Sequence, residues 1–242
     1  MKKTIFALVV IVAVTALVVA SFIAGSITAR SSDTSGSGEP EAKNPVSPVA
    51  NDGTDDKTEV NTEMVEKIVF FSPNTGSDDT GNGSQGSPVE TKKQAEKIAE
   101  GITVGEGEEL IYLEYLMTVD VKTQAAAGVF SDAGGVNMIP FTGSTDGYYF
   151  KGDIVGTGCD TQKYLPNDGG VLFSARYMLK GTDHTGQSCS IFIENNGMAL
   201  EKCTPTIITD SRALSDWQNY ELRAIVVPVG GGVEVNVYRI HR

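Results

Sequence analysis

Four polar residues in the second half of the chain could contact a small ligand: Asp160, Arg176, Glu194 and Asn196. Carboxylates and guanidinium groups form strong, charge-assisted hydrogen bonds, and an asparagine amide both donates and accepts. Each residue also has a structural interpretation. Arg176 and Glu194 can form a cross-strand ion pair, whereas Asp160, in a Gly-Cys-Asp sequence, and Asn196, before Gly197, can form turns. The sequence leaves both interpretations open.

No catalytic motif accompanies these residues. The chain contains neither a G-x-S-x-G nucleophile elbow nor an H-E-x-x-H metal-binding helix. His184 falls in a predicted turn and His241 next to the last residue, so both are expected to be solvent-exposed. The sequence therefore predicts no catalytic residue and no cofactor. The enzymatic alternative uses Asp160 or Glu194 as a base.

Three cysteines and two histidines are too few for a conventional zinc site with its supporting residues, and no metal site is predicted. In an exported chain, Cys189 and Cys203 are candidates for a disulfide that leaves Cys159 free. In reducing surroundings, all three would be small buried thiols. The Asp-rich loop over residues 72–84 is expected to be a hydrophilic turn, with a loose calcium site as the alternative.

The charge balance argues against a nucleic-acid partner. Acidic residues outnumber basic residues by 31 to 19, and the formal net charge is −12. Binding to phosphate backbones requires clustered lysines and arginines, which this chain lacks.

Residues 109–242 have the pattern of an antiparallel β-barrel or sandwich, because short apolar runs alternate with Gly, Asp and Asn. The predicted strands cover residues 110–122, 128–130, 136–141, 148–156, 171–179, 190–194, 205–210, 220–229 and 233–240. A hairpin centred on the turn at 181–186 places Arg176 opposite Glu194. Trp217 is expected to plug the barrel.

A strand, a loop and a helix are predicted over residues 67–108. The apolar run at 68–71 is short enough for a strand. Ser87 then predicts a helix N-cap, because Pro88 follows at the first helical position and Glu90 completes a capping box.

The N-terminal residues predict export. Lys2 and Lys3 precede 26 uncharged residues from 4 to 29, which are long enough to span a bilayer. Residues 1–29 are therefore predicted to be a transmembrane anchor, with a signal peptide cleaved after Ala20 as the alternative. Residues 30–66 are predicted to be a disordered acidic linker. The expected location is the cell membrane, with an extracellular C-terminal domain, or otherwise the secreted fraction.

Five motifs follow one another along the second half of the chain, each occurring once: Gly152-Asp153-Ile154-Val155-Gly156-Thr157-Gly158-Cys159-Asp160, Phe173-Ser174-Ala175-Arg176-Tyr177, Gly181-Thr182-Asp183-His184-Thr185-Gly186, Ile191-Phe192-Ile193-Glu194-Asn195-Asn196-Gly197 and Val235-Asn236-Val237-Tyr238-Arg239-Ile240. Through them, residues 112–240 resemble the uncharacterised family called domain of unknown function 3237. The resemblance implies a lipocalin-like or streptavidin-like antiparallel barrel and no established activity. A common family variant has an aromatic residue after the aspartate, whereas Thr161 follows Asp160 here.

A shorter resemblance covers residues 70–113. The pieces Ser72-Pro73-Asn74, Gly76-Ser77-Asp78-Asp79, Gly81-Asn82-Gly83-Ser84 and Ile111-Tyr112-Leu113 resemble the N-terminal cap of pectate-lyase-type right-handed β-helix proteins. No repeat of fixed period follows, so the resemblance is limited to the cap. It implies a polysaccharide-facing context by analogy.

These observations lead to three functional hypotheses. The first is a non-enzymatic, surface-displayed β-barrel that binds a small or carbohydrate-like ligand. The second is an enzyme, either an isomerase or lyase or a polysaccharide-active protein. The third is a structural or adhesive envelope protein. The sequence does not indicate an oligomeric state.

Overall fold

The computed structural model describes residues 64–167 and 169–242. The predicted membrane anchor and residues 30–63 of the predicted linker lie outside the described residues. Within the described part, no helix has the length and apolar character needed to cross a membrane.

The described chain is mainly β, as predicted, with one α-helix, α1 (Lys92–Ala99). The strands are β1 (Val65–Phe71), β2 (Glu108–Thr123), β3 (Ala127–Ser131), β4 (Gly134–Asp146), β5 (Phe150–Ile154), β6 (Gly158–Tyr164), β7 (Val171–Asp183), β8 (Ser188–Gly197), β9 (Thr204–Thr209), β10 (Leu222–Val229) and β11 (Gly232–His241). Short 3₁₀ helices cover Leu200–Lys202 and Ser215–Asn219.

The strands close into an antiparallel barrel. Hydrogen-bonded neighbours follow the order β10-β11-β2-β4-β5-β7-β8-β9. Strands β5 and β6 share one position in the barrel wall, because both pair with β4 on one side and with β7 on the other. The wall closes where Cys203, just before β9, and Ala224 of β10 exchange backbone hydrogen bonds of 3.1 and 2.8 Å.

Inward-facing apolar side chains fill one end of the barrel. Met117, Val119, Phe150, Leu179 and Ile191 belong to this core and are almost fully buried. Trp217, on the 3₁₀ helix at Ser215–Asn219, is also buried there, with its ring 5.9 Å from that of Tyr149. Removing this apolar surface from water is the main force that holds the strands together.

A smaller layer, made of β1 and α1, packs outside the barrel. Strand β1 pairs in parallel with the first half of β2. Helix α1 begins later than predicted, with Thr91 as its N-cap, and the Thr91 side chain accepts a hydrogen bond from the Gln94 amide. The predicted N-cap at Ser87 is wrong, because Val89 forms a parallel bridge with Phe71 and keeps the chain extended.

The Asp-rich loop fixes the segment that leads into this helix. The Asp78 carboxylate accepts hydrogen bonds from the backbone amides of Glu90 and Thr91 and from the Thr91 hydroxyl, at 3.0, 3.1 and 2.9 Å. Desolvation raises the pKa of the Asp78 carboxyl, but the hydrogen bonds from Thr91 and Glu90 together outweigh it and hold this pKa below its usual value. Within residues 64–167 and 169–242, no group of His, Cys, Asp and Glu is arranged to hold a metal ion.

Strand β1 begins inside the stretch predicted as linker, and its Glu66 attaches it to the barrel. The Glu66 carboxylate accepts two hydrogen bonds of 2.8 Å from the Arg223 guanidinium of β10. Arg223 is 5% exposed. The hydrogen bond from Arg223 lowers the pKa of Glu66 despite its partial burial. Such a bidentate, largely buried pair fixes the orientation of both side chains.

Candidate functional site

Strand β6 was not predicted from the sequence, and it carries Asp160. Asp160 pairs with Ile139 of β4 and with Ala175 of β7, so the expected turn at this position is wrong. Ala175 lies on the same side of β7 as Tyr177 and Leu179, which are buried inside the barrel. Asp160 therefore faces the barrel interior.

Strand register arranges the inward-facing residues of this end in layers. The first layer, at the rim, contains Phe130, Gly135, Tyr164 and Val171, and the second contains Gly128, Asn137, Gln162, Phe173 and Gly197. Deeper in the barrel, the third layer contains Ile139, Asp160, Ala175, Asn195 and Pro205. The fourth and deepest contains Phe141, Gly158, Tyr177, Ile193 and Ile207. We call the first three layers the mouth and the fourth its floor.

Exposure falls steadily along the inner face of β7. Phe173 and Ala175 are partly exposed, whereas Tyr177 and Leu179 are buried. Asp160, Gln162 and Tyr164 on β6 are also partly exposed. The mouth is thus open to solvent and lined by polar side chains, whereas the interior beyond its floor is apolar.

A chain of hydrogen bonds leads from the rim of the mouth to Asp160. The Tyr164 hydroxyl donates to Gln162 Oε1 at 3.1 Å, and Gln162 Nε2 donates to Asp160 Oδ2 at 2.9 Å. The second carboxyl oxygen, Oδ1, is buried without a hydrogen-bond partner among the described residues. Burial raises the pKa of Asp160, and hydrogen bonds from the Gln162 side chain and from the Ser174 backbone offset only part of this effect.

Two further buried polar atoms near Asp160 lack a partner within the described residues: Asn195 Oδ1 and the Tyr177 hydroxyl. Asn195 is in the same layer as Asp160, and Tyr177 is in the floor. Burial raises the pKa of Tyr177. Buried polar groups are nearly always hydrogen-bonded, and each exception costs about 1–3 kcal/mol. A ligand that hydrogen-bonds to these atoms would remove that cost.

The other three predicted ligand-binding residues lie together on the outside of the barrel. Arg176 Nε and Nη2 donate to Glu194 Oε1 at 3.1 and 2.7 Å, and Asn196 Nδ2 donates to the same oxygen at 3.4 Å. The predicted pairing of Arg176 with Glu194 is confirmed. Because both alternate with inward-facing residues, they point away from the mouth. The four predicted residues therefore do not share one pocket.

The surroundings of Glu194 make it a poor base. Hydrogen bonds from Arg176 and then Asn196 lower the pKa of the Glu194 carboxyl. A carboxylate with a lowered pKa has little tendency to accept a proton near neutral pH. The only one of the two predicted bases with a raised pKa is Asp160.

The expected disulfide between Cys189 and Cys203 is not formed, because the two residues lie at different heights in the barrel. Cys203 contacts Asn195, which is six residues from Cys189 along β8, or about 20 Å. That separation exceeds the reach of a disulfide. Burial raises the pKa of the Cys203 thiol to about 11, so the thiol is not an activated nucleophile.

The two histidines differ in their exposure to solvent. His184 is exposed, as expected, and its ring stacks on Tyr148 at 6.2 Å. The expected exposure of His241 is wrong. Its Nε2 lies 2.7 Å from Glu114 Oε2, and its side chain is 16% exposed. Neither residue reaches the mouth.

Sequence reasoning missed Gln162, Tyr164, Asn195 and Tyr177. One signal for the first two was available, since Asp160, Gln162 and Tyr164 alternate with other residues at the period of a strand. Such a strand has a polar inner face, and a search for alternating apolar residues passes over it.

Comparisons with known proteins establish no family for this chain. No family model matches it, and no curated protein matches it. Similar solved structures include a protein of unknown function from Clostridium acetobutylicum ATCC 824, with 22% identity and a TM-score of 0.47. Another is a beta-barrel-like protein from Acinetobacter baumannii AYE, with 23% identity and a TM-score of 0.44. A third is an enzyme from Penicillium herquei, with 17% identity and a TM-score of 0.46. These alignments cover 54%, 54% and 53% of this chain and 99%, 96% and 93% of the respective structures.

Proposed function

We propose that the barrel binds a small ligand in its mouth, through Asp160 and Asn195. The observation that carries this proposal is the position of their two unpartnered oxygens. Asp160 Oδ1 on β6 and Asn195 Oδ1 on β8 lie in one layer, separated only by the small side chain of Ala175 on β7. Both atoms accept hydrogen bonds, so the fitting ligand presents hydroxyl or amino donors.

Aromatic side chains at the rim favour a ligand that also has an apolar part. The Phe130 ring lies against Gly135, where an added Cβ would be 2.2 Å from the ring. Glycine at this position lets the ring lie flat on the strand and approach Tyr164, at a centroid distance of 5.4 Å. Phe130 is 63% exposed, so its ring offers apolar surface at the rim.

Native mass spectrometry of the full chain tests the proposal. The chain is released from a detergent without a sugar head group, and its native and denatured masses are compared. We expect a non-covalent adduct. Asp160→Asn replaces an acceptor by a donor with almost no change of shape, and it should reduce adduct retention about 10- to 100-fold. The control is Asp153→Asn, at an exposed position on β5. A bare mass from both proteins, or an adduct insensitive to Asp160→Asn, would refute the assignment.

The second candidate is an enzyme in which Asp160 acts as general acid or base. It is favoured by the raised pKa of Asp160 together with its free oxygen, because a group that titrates closer to neutral pH transfers protons more effectively. Once an adduct has been identified by its mass, incubation of that compound with a small amount of protein distinguishes the two roles. Conversion that is lost in Asp160→Asn supports the enzyme, and release of the unchanged compound supports the binding protein.

We further propose that this barrel is exported and belongs to the family called domain of unknown function 3237, with a lipocalin-like ligand mouth. The apolar run behind Lys2 and Lys3 supports export, either anchored or after cleavage, and the five ordered motifs support the family. Protease treatment of intact cells tests export. Digestion of the barrel without cell lysis is expected, and full protection would contradict it. An empty mouth in an exported chain would favour the structural or adhesive hypothesis.

A further inference from the structure

A second cleft, of about 510 Å³, lies on the outside of the barrel. It separates the outer face of β10, β11 and β2 from the segment at residues 70–88. We call it the cap cleft. Its lining residues are Phe70, Phe71, Ser72, Thr75, Gln85, Gly86, Pro88, Tyr115, Val227, Glu234, Asn236 and Tyr238. Because the barrel wall stands between them, the cap cleft and the mouth are separate sites.

Three aromatic rings form the apolar part of the cap cleft. Tyr238 is central, with its ring centroid 5.4 Å from Phe70 and 5.9 Å from Tyr115, at interplanar angles of 68° in both cases. Tyr238 is buried, whereas Phe70 and Tyr115 are partly exposed. Phe70 and Tyr115 therefore offer ring surface to a ligand, and Tyr238 holds them in place.

The polar part of the cleft is fixed by hydrogen bonds that leave specific groups free. Gln85 Nε2 donates to the Tyr238 hydroxyl at 3.2 Å. Asn236 Oδ1 accepts from the Thr118 hydroxyl at 2.6 Å, which orients the Asn236 amide group. Within the described residues, neither the Asn236 amide nitrogen nor the Glu234 carboxylate has a hydrogen-bond or ion-pair partner. The cleft thus presents an oriented donor beside a free acceptor.

The charge of the lining selects among ligand classes. It includes one carboxylate, Glu234, and no lysine, arginine or histidine. An anionic ligand would meet a like charge with no cation to neutralise it. A neutral sugar matches the lining instead, because its ring C–H groups pack on aromatic side chains while each hydroxyl both donates and accepts a hydrogen bond.

We propose that the cap cleft binds a neutral oligosaccharide. Tyr115 and Phe70 pack against a sugar ring, Asn236 donates to one hydroxyl, and Glu234 accepts from another. This site is independent of the ligand proposed for the mouth. A cavity of this size admits a segment of two to three sugar residues, on the order of the 300–1,000 Å³ typical of small-molecule sites.

Isothermal titration calorimetry of the full chain tests this site, in a detergent without a sugar head group that could compete. The probes are cellotriose, maltotriose and N,N′,N″-triacetylchitotriose, with choline as a cationic comparison. We expect at least one trisaccharide to bind. Tyr115→Ala should weaken it about tenfold. Tyr148→Ala, at an exposed tyrosine outside the lining, should leave the dissociation constant unchanged.

A second variant guards against loss of binding through misfolding. Asn236→Asp keeps the shape of the side chain and the acceptor for Thr118, but it replaces the free amide donor by a carboxylate beside Glu234. It should also weaken binding about tenfold while the melting temperature stays close to that of the unmodified chain. Absence of trisaccharide binding, or binding of choline alone, would overturn the proposal. Trisaccharide binding that is lost in Asp160→Asn but kept in Tyr115→Ala would assign the sugar to the mouth instead.

Discussion

Asp160 and Asp183 are two carboxyl groups at opposite ends of the same barrel, and their surroundings differ in kind. Asp183 is the last residue of β7 and is 6% exposed. Its carboxylate accepts hydrogen bonds from the Ser211 hydroxyl at 2.6 Å, from both the amide and the hydroxyl of Thr185, and from the Gln187 amide at 3.2 Å. The hydrogen bonds from Ser211 and then Thr185 lower the pKa of Asp183 to about 2.

Asp160 faces the mouth with a single side-chain donor, Gln162, and one oxygen without a partner. Its pKa is raised because burial outweighs the hydrogen bonds from the Gln162 side chain and from the Ser174 backbone. The comparison shows that enclosure by the fold does not by itself identify a functional carboxyl. Asp183 forms all its hydrogen bonds within the protein and stabilises the turn after β7, whereas one oxygen of Asp160 has no hydrogen-bond partner among the described residues.

The largest expected effect concerns Asp183. Asp183→Ala leaves the buried Ser211 hydroxyl and the amides of Thr185 and Gln187 without their acceptor. The melting temperature should fall by roughly 5–10 °C, measured by circular dichroism. Asp153→Ala, at an exposed position, is the matched control and should change little. An equally small change in Asp183→Ala would show that these bonds are not needed for folding.

A substitution in the floor of the mouth, Tyr177→Phe, is expected to stabilise the chain, in contrast to Asp183→Ala. Tyr177→Phe removes a buried hydroxyl that has no partner among the described residues. The free energy of unfolding of the ligand-free chain should rise by about 1 kcal/mol, measured by urea denaturation. Tyr164→Phe removes a hydroxyl that does have a partner, Gln162, and should not be stabilising. A loss of stability in Tyr177→Phe would mean that its hydroxyl is satisfied.

The two aspartates should also affect the pH dependence of stability in opposite directions. Because the pKa of Asp160 is raised in the folded chain, its contribution to stability is present below the unfolded pKa and is lost as pH rises through the folded value. Asp183 has a lowered pKa, so its contribution is present above the unfolded pKa and is lost as pH falls toward about 2.

Melting curves over about pH 2 to 7 measure these contributions. Asp160→Asn should remove the part of the profile in which stability declines with rising pH. Asp183→Asn should remove part of the acid sensitivity. Identical profiles for Asp160→Asn and the unmodified chain would place the pKa of Asp160 at its ordinary value.

The smallest effect is expected on the outer face. Arg176 and Glu194 form an ion pair whose side chains are 59% and 29% exposed, and such pairs contribute less than about 1 kcal/mol. Arg176→Ala should therefore barely change the free energy of unfolding and should leave ligand retention in the mouth unchanged. Loss of ligand in this variant, with the melting temperature preserved, would move the site to the outside of the barrel.

Much of the barrel could be predicted from the sequence, because most of its strands alternate between an apolar inner face and a polar outer face. The hairpin of β7 and β8 is an example. Its turn residues and its alternation together specified the register of Arg176 and Glu194. The sequence could not specify which polar residues face the barrel interior, since a shift of one position changes the face.

The prediction failed where tertiary pairing or polarity overrides local signals. At Ser87 the capping pattern was complete, but pairing of Val89 with Phe71 kept the chain extended. At β6 the inner face is polar, so the strand lacked the apolar alternation that revealed the others. Sites often break the local rules of their fold, and β6 is where the mouth acquires its polar groups.

The most direct test of the account is a measurement of the two carboxyl pKa values in one sample. The side-chain carboxyl carbons of ¹³C-labelled aspartates are followed by NMR during a pH titration of the ligand-free chain, with Asp160→Asn and Asp183→Asn used to assign the signals. The account predicts that Asp160 titrates above the ordinary aspartate pKa and Asp183 titrates at about 2. An Asp160 carboxyl that titrates at or below the ordinary value would contradict the claim that it is buried with an unsatisfied oxygen.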